Sequence, residues 1–501
     1  MTYTRKAVRG ASMIFIMSML ASVLAYVMRV VLARHLGAAE FGLFYAVFTF
    51  VIFFMFFRDL GFPQAIIKYI AEFKVKERND LIKSVIASAF YIQIACSCLF
   101  ALIFYFLAPY LAVNYFKNPE AATILRIFIF YIFGSVLFII SKDILLGFQK
   151  TALFSLGEFF KNGLVLALVV LFFYLGKGVY APVYAFAIVC FLLFIIYFPL
   201  VLREFPLFRY RSGEFPAVAK KMVWFAFPVF ATAVGSKIIG YVDTLMLTYF
   251  RSLPEVGVYN AVLPTSSLLL YFGSCIGSVT LPMASEFWAR GDHRRLMAGI
   301  EIMYKYLFIL ILPVCAVLFV FTPFILQNFF GPEYVVGVTA MRILLLGSLI
   351  FTLADINYNI FTAIGKPQTV TTIVFLSAAV NAGLNLILIP KWGITGAGIS
   401  TATSYLFAFI FSIWKMKSYL NVKAHWKRWS ALLFVGAILV YSLFKIPSLL
   451  SLNPWLEIGI AIVCSLLIYL FLLYCFNIID LQEIARYYRL VRGKETNRQK
   501  V

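Results

Sequence analysis

The sequence predicts an all-α polytopic membrane protein of about fourteen transmembrane helices, arranged as two parallel, pseudo-symmetric six-helix lobes with two further helices at the C-terminal end. Three observations predict it: composition, the spacing of apolar runs, and an internal repeat. Apolar residues make up 63% and charged residues 13% of 501 positions, and mean hydropathy is +0.96. A water-soluble globule does not tolerate that balance. Barrel strands would alternate polar and apolar over about ten residues, whereas the runs here stay apolar for twice that length.

A single crossing takes about 20 mainly apolar residues. Runs of that kind lie at 11–36, 41–66, 81–108, 120–148, 151–176, 179–203, 219–250, 256–285, 297–324, 335–363, 369–390, 394–416, 430–446 and 454–476. The first begins after a basic start, but it is too long for a signal-peptide core and has no small-residue cleavage site, so it reads as a retained helix. The tail DLQEIARYYRLVRGKETNRQK reads as a short amphipathic surface helix with a disordered end.

Lys and Arg set the orientation, because cytoplasmic loops retain positive charge. With the N-terminus inside, 28 cations fall in cytoplasmic segments and six in the opposite loops, namely Arg34, Lys117, Lys177, Arg251, Lys391 and Lys445. Both termini are then cytoplasmic in a cytoplasmic membrane. The net charge of +22 becomes a topology signal that also suits anionic membrane lipids, and nucleic acid is not an expected partner. Cys96, Cys98, Cys190, Cys275, Cys315, Cys464 and Cys475 all sit in apolar runs without metal-ligand spacing, so neither disulfides nor a metal site are expected. His35, His293 and His425 form no catalytic grouping. No Walker loop, GxSxG or HExxH occurs, and no outward loop approaches the size of a domain. The chain therefore reads as a non-enzyme, which argues against a membrane glycan polymerase or ligase.

LARHLGAAEFGLFYAV at 32–47 aligns with LTYFRSLPEVGVYNAV at 247–262, bringing Glu40 onto Glu255, Gly42 onto Gly257 and Ala46 onto Ala261. LRIF at 125 aligns with MRIL at 341, ILLGFQK at 144 with IFTAIGK at 360, and GVYAPVYAFA at 178 with GITGAGISTA at 393. The offset stays at 215 or 216 throughout, so one six-span unit occurs twice. An even number of crossings gives both copies the same orientation. The divisions are then 1–210 and 211–425 for the two lobes, 426–478 for the extra pair and 479–501 for the tail.

Two parallel six-helix lobes plus two helices resemble the multidrug/oligosaccharidyl-lipid/polysaccharide (MOP) exporter superfamily, and specifically its polysaccharide-biosynthesis, lipid-linked oligosaccharide flippase branch. The resemblance covers nearly the whole chain. It is carried by ARHLGAAEFGLF, DLGFPQAIIKYIAEF, the joints GFQKT and GKPQT, and WGITGAGIS. It implies a MATE-like fold that moves a prenyl-(pyro)phosphate-linked sugar across the membrane, working as a monomer by alternating access of a hydrated cavity between lobes. A cation-coupled multidrug or small-molecule exporter of the same superfamily is the alternative.

Charges at a helix centre cost about 2.5 to 3.5 kcal/mol on insertion scales, so they face protein or water. The deep cations Arg29, Arg58, Lys142, Lys161 and Lys237 are the candidate substrate-binding set, because Arg offers phosphate a planar fork and Lys a point charge. Arg29 and Lys237 lie near the middle of the first span of each lobe, and in the resembling family these spans line the passage. Asp59, Asp143, Glu158, Asp243 and Asp355 are candidate ion-coupling or bracing acids. No cofactor is expected beyond a coupling H+ or Na+. Adjacent helical residues diverge by about 100 degrees, so Arg58 and Asp59, like Lys142 and Asp143, are expected to serve different directions. Glu158 and Lys161 are spaced as an intrahelical pair. Ion pairing without ligand contact stays open for each of these residues. Arg126 and Arg342 match in the repeat and read as anchors at helix ends. Pro63, Pro228, Pro264, Pro282 and Pro313, with Gly235, Gly240, Gly273 and Gly277, provide places for helices to bend.

Overall fold

The computed structural model describes residues 3–420, 426–476 and 478, with no side-chain detail before Met13, at 278 or at 426–428. The expected surface helix of the tail lies outside the described residues. Those residues are all-helical, with no strand among them. In hydrocarbon each backbone N–H and C=O needs an internal partner, and the helix is the structure that supplies it within one segment.

In chain order the helices are α1 (Tyr3–Asp59), α2 (Phe62–Val75), α3 (Asn79–Asn114), α4 (Glu120–Gly147), α5 (Thr151–Tyr174), α6 (Tyr180–Glu204), α7 (Phe215–Phe250), α8 (Leu253–Ser266), α9 (Leu270–Ala289) and α10 (His293–Val320). The turn α11 (Thr322–Ile325) leads through a π-turn at Leu326–Phe330 and a 3-10 turn at Pro332–Gly337 into α12 (Val338–Ala363). The long α13 (Pro367–Lys417) follows, then α14 (Trp426–Lys445) and α15 (Pro454–Cys475).

Twelve segments among the described residues are long and apolar enough to cross a membrane, against the fourteen expected. The difference lies in two segments that are too long for one crossing, Met13–Val75 with 63 residues and Pro367–Lys417 with 51. The first runs α1 and α2 together, and each segment contains a glycine with non-helical backbone, Gly37 (φ 69°) in α1 and Gly393 (φ 55°) in α13. These glycines fall between the apolar runs expected as separate spans. Hydropathy finds no break at Leu60 and Gly61, yet their positive φ angles of 46° and 76° end α1 at Asp59.

By packing, the chain forms two compact units. One comprises Met1–Ser266, Phe324–Leu344 and Thr371–Ala408; the other comprises Ser267–Pro323, Leu345–Val370 and Phe409–Val501. The first unit holds contacts that repeat with the sequence. Gly42 of α1 and Gly257 of α8 are matched positions, and they meet. A Cβ on Gly42 would overlap the Leu253 carbonyl and come within 2.9 Å of Gly257 N. One on Gly257 would overlap the Ala38 carbonyl and come within 3.1 Å of Gly42 N. Only two residues without side chains permit this approach. The matched acids Glu40 and Glu255 likewise reach matched glycines, Gly178 and Gly393.

Beside the glycine crossing, Arg34 donates to the Phe329 carbonyl at 3.0 Å and to that of Asn328, while Glu333 Oε1 accepts from Ala38 N at 2.9 Å. A cation thus meets the C-terminal end of a helical turn and an acid meets a backbone N–H just beyond Gly37, the favourable sense for each. At the other end of the unit Arg78 grips Asp80 with two hydrogen bonds of 2.8 and 2.9 Å and reaches Glu214 at 3.4 Å. These bonds, to Asp80 above all, push the Arg78 guanidinium further above its already high ordinary pKa.

Candidate functional site

Asp243, on α7 in the first unit, is 2% exposed. Its Oδ2 accepts from Tyr259 Oη of α8 at 2.5 Å and from Thr401 Oγ1 of α13. Its Oδ1 accepts from Asn385 Nδ2 at 2.6 Å and Asn381 Nδ2 at 3.2 Å, both from α13. No Lys, Arg or His among the described residues lies within ion-pairing distance of this carboxylate. Four neutral donors answer a buried negative charge, and in a low-dielectric interior dipoles alone leave such a charge expensive. A proton or a monovalent cation at this place would cancel that charge.

The residues present fit either ion. Asn385 Oδ1 is buried and has no hydrogen-bond partner among the described residues. Rotating an Asn amide exchanges its nitrogen for its oxygen without changing its shape. Asn381, Asn385, Thr401 and Tyr259 would then surround Asp243 with oxygen, the donor type hard cations take. Sequence reading found Asp243 and missed these four. A signal existed in NAGLN at 381–385, where two Asn recur one helical turn apart within an apolar run.

The acids and cations of α1, α4 and α5 are arranged differently. Arg58 is 1% exposed. Its Nε and Nη2 bond Asp59 Oδ1 at 3.0 and 2.6 Å, and its Nη1 bonds the Ile132 carbonyl at 2.9 Å and Ser135 Oγ at 3.2 Å. The expected divergence of Arg58 and Asp59 is therefore corrected. Because α1 ends at Asp59, the long Arg58 side chain folds back onto its neighbour while its outer nitrogen braces α4. Lys142 and Lys161 share one carboxylate, Glu158, through Oε1 and Oε2 at 2.5 Å each. The expected Glu158–Lys161 pair is present, and Lys142 joins it from a different helix. Asp143 is buried at 4% exposure, and its Oδ2 has no hydrogen-bond partner among the described residues.

Arg29 and Lys237 have no carboxylate partner among the described residues. The Arg29 guanidinium lies 4.6 Å from the Tyr45 ring centroid and donates to the Asn260 carbonyl at 3.1 Å. Lys237 Nζ lies 5.8 Å from the Phe56 ring centroid and 5.6 Å from that of Tyr241. Aromatic faces hold cations without neutralising them. Asn260 also bonds Thr244, the residue after Asp243, at 3.4 Å, so a short polar path runs from the buried carboxylate to Arg29. Asp355 belongs to the second unit, where its carboxylate lies 3.4 Å from the place of a Cβ on Gly273.

Comparison with known proteins adds the relatives. The family model described as polysaccharide biosynthesis protein matches residues 7–288, and a second, MatE, matches residues 228–387. An uncharacterized membrane protein of Methanocaldococcus jannaschii is 31% identical over 499 residues, 97% of this chain and 98% of its own length. A probable low-salt glycan biosynthesis flippase of Haloferax volcanii is 21% identical over 238 residues, 48% of this chain and 50% of its own. Among solved structures, the lipid II flippase MurJ in an inward closed conformation superposes with a TM-score of 0.75 at 17% identity, covering 92% of this chain and 98% of MurJ. An inward-facing multidrug resistance MATE transporter of the MOP superfamily superposes with a TM-score of 0.63 at 16% identity, covering 79% and 95%. At these identities the structures establish a shared fold.

Proposed function

Since the chain belongs to the polysaccharide biosynthesis protein family, we propose that it is a flippase moving a prenyl-(pyro)phosphate-linked sugar or oligosaccharide across the cytoplasmic membrane by alternating access, with both termini on the cytoplasmic side. The observation that carries this reading is that neither Arg29 nor Lys237 has a carboxylate partner among the described residues. Two cations on aromatic faces inside a membrane bundle are costly unless an anion visits them, and a phosphate is the anion such a substrate brings. Arg29 presents a planar fork to its oxygens and Lys237 a point charge. The sugar travels in water between helices and the prenyl chain stays in hydrocarbon, so no bond is broken.

Ion coupling is part of the proposal. Filling the Asp243 site removes a buried net charge and ties α7, α8 and α13 together, and any arrangement that holds these helices in register gains by that binding energy. The path through Thr244 and Asn260 connects this gain to Arg29. A second reading, a cation-coupled small-molecule exporter, is favoured by the same Asp243 site and by the MATE likeness.

The test is purified protein in liposomes with leaflet-resolved detection of a prenyl-pyrophosphate sugar. Arg29→Ala and Lys237→Ala are expected to abolish translocation while leaving insertion and folding intact. Wild-type rates in both variants would remove these residues from the site. Export of organic cations without movement of the sugar lipid would select the second reading.

A further inference from the structure

Lysines from two helices converge where α2 meets the start of α7, outside the candidate site described above. We infer that this place is a docking site for the pyrophosphate headgroup of a prenyl lipid, the station at which the substrate is captured before it reaches Arg29 and Lys237. The inference rests on the flippase reading and names where that substrate first binds.

Lys221 of α7 is the hub. Its ammonium lies 4.9 Å from the Tyr69 ring centroid and 5.3 Å from that of Phe73, both on α2. Lys68 shares the Tyr69 ring at 5.0 Å and stacks on Phe225 of α7 at 3.9 Å. Lys76 reaches the Phe73 ring at 5.9 Å, and Lys74 the Phe148 ring at 5.4 Å. Positive charge near loop ends by itself only orients a membrane protein. It does not require four ammonium groups seated on rings, or one ring shared between lysines of two helices. Such seating keeps the cations in place without neutralising them.

Among the described residues one carboxylate pairs with the group. Glu72 holds Lys76 at 2.7 Å and Lys221 at 3.5 Å, while Lys68 and Lys74 have no ion-pair partner among the described residues. Four cations against one acid leave an excess that suits a doubly charged anion, and the longer Lys221–Glu72 contact is the one an incoming phosphate displaces most easily. All the ion-paired groups are open to water, with side-chain exposures of 57% for Lys76, 50% for Lys221 and 29% for Glu72.

The neighbouring surface indicates a lipid. Trp224 and Phe227, three and six residues beyond Lys221 on α7, are 72% and 63% exposed. Trp in this position suits the boundary between headgroups and hydrocarbon, and the pair forms an apolar platform on which a prenyl chain can lie while its headgroup meets the lysines. A free phosphate would gain nothing from that platform.

The experiment measures binding of full-length protein in nanodiscs to undecaprenyl pyrophosphate without sugar, against phosphatidylglycerol and inorganic pyrophosphate as separate arms. Lys68→Gln with Lys221→Gln is expected to weaken prenyl pyrophosphate binding roughly tenfold or more, given the worth of interfacial cations toward anionic headgroups. Glu72→Gln is expected to strengthen it severalfold, and Trp224→Ala to weaken the prenyl lipid but not inorganic pyrophosphate. Lys415→Gln with Lys417→Gln removes the same charge elsewhere and is expected to leave binding unchanged. Equal losses in the two double variants, or parallel loss of phosphatidylglycerol and prenyl pyrophosphate binding, would overturn the inference, as would a wild type that binds no prenyl pyrophosphate. If the wild type binds the probe here yet moves no sugar lipid in liposomes, the flippase reading falls and the binding site stands.

Discussion

The two copies of the sequence repeat bury acids of different kinds. In the first, Arg58, Lys142 and Lys161 pair with Asp59 and Glu158 at 2.5 to 2.6 Å, while Asp143 is buried with no ion-pair partner among the described residues. In the second, Asp243 is met by hydroxyls and amides alone. Opposite charges in direct contact make a brace, since removing one partner strands the other. A carboxylate among neutral donors makes a receptor, because its charge is left for something mobile to cancel. One copy of the repeat thus holds ion pairs and the other a buried carboxylate among neutral donors, the arrangement on which the proposed ion coupling rests.

Substitutions that treat both halves alike break or sharpen this comparison. The largest effect is expected from Asp243→Asn, which should slow ion-driven translocation about a hundredfold, within the usual range of coupling energies, and abolish the rise in melting temperature on adding the coupling ion. The apo protein should melt no lower than wild type, because a buried charge has been removed; a clear drop would reclassify Asp243 as a brace. Arg58→Met should destabilise by about 3 kcal/mol by stranding Asp59 and the α4 acceptors, read as a lower unfolding midpoint with transport per folded molecule retained. Gly257→Ala should cost about 2 kcal/mol through overlap with the α1 backbone, and Gly42→Ala a similar amount. An unchanged midpoint in both would show that the crossing opens freely. Glu158→Gln should cost about 1 kcal/mol, a reduced figure because Glu158 is 33% exposed and partly screened. Its sign is the informative part: loss of stability here and none at Asp243 is the contrast the geometry predicts.

Much of this was legible in the residues. The spans follow from hydropathy because about twenty apolar residues have few alternatives to crossing a membrane, and the glycines at 37 and 393 fall where the chain was expected to pass between spans. The offset of the repeat aligned Gly42 with Gly257, but that these two positions touch was not legible in it. The break at Leu60–Gly61 was not legible, because left-handed backbone leaves no trace in hydropathy, and the pairing of Arg58 with Asp59 depended on it. Asp243 stood out as a charge, but its partners are neutral residues as far as 158 positions away along the chain. Lys74, Lys76 and Lys221 read only as topology charge and Lys68 drew no role, because seating on rings is a property of side chains brought together from separate helices.

The most direct measurement is translocation of a prenyl-pyrophosphate sugar in proteoliposomes under imposed Na+ or H+ gradients, with wild type and Asp243→Asn side by side. The account predicts that one of these gradients accelerates the wild type and neither accelerates the variant. Equal acceleration of both proteins would contradict it.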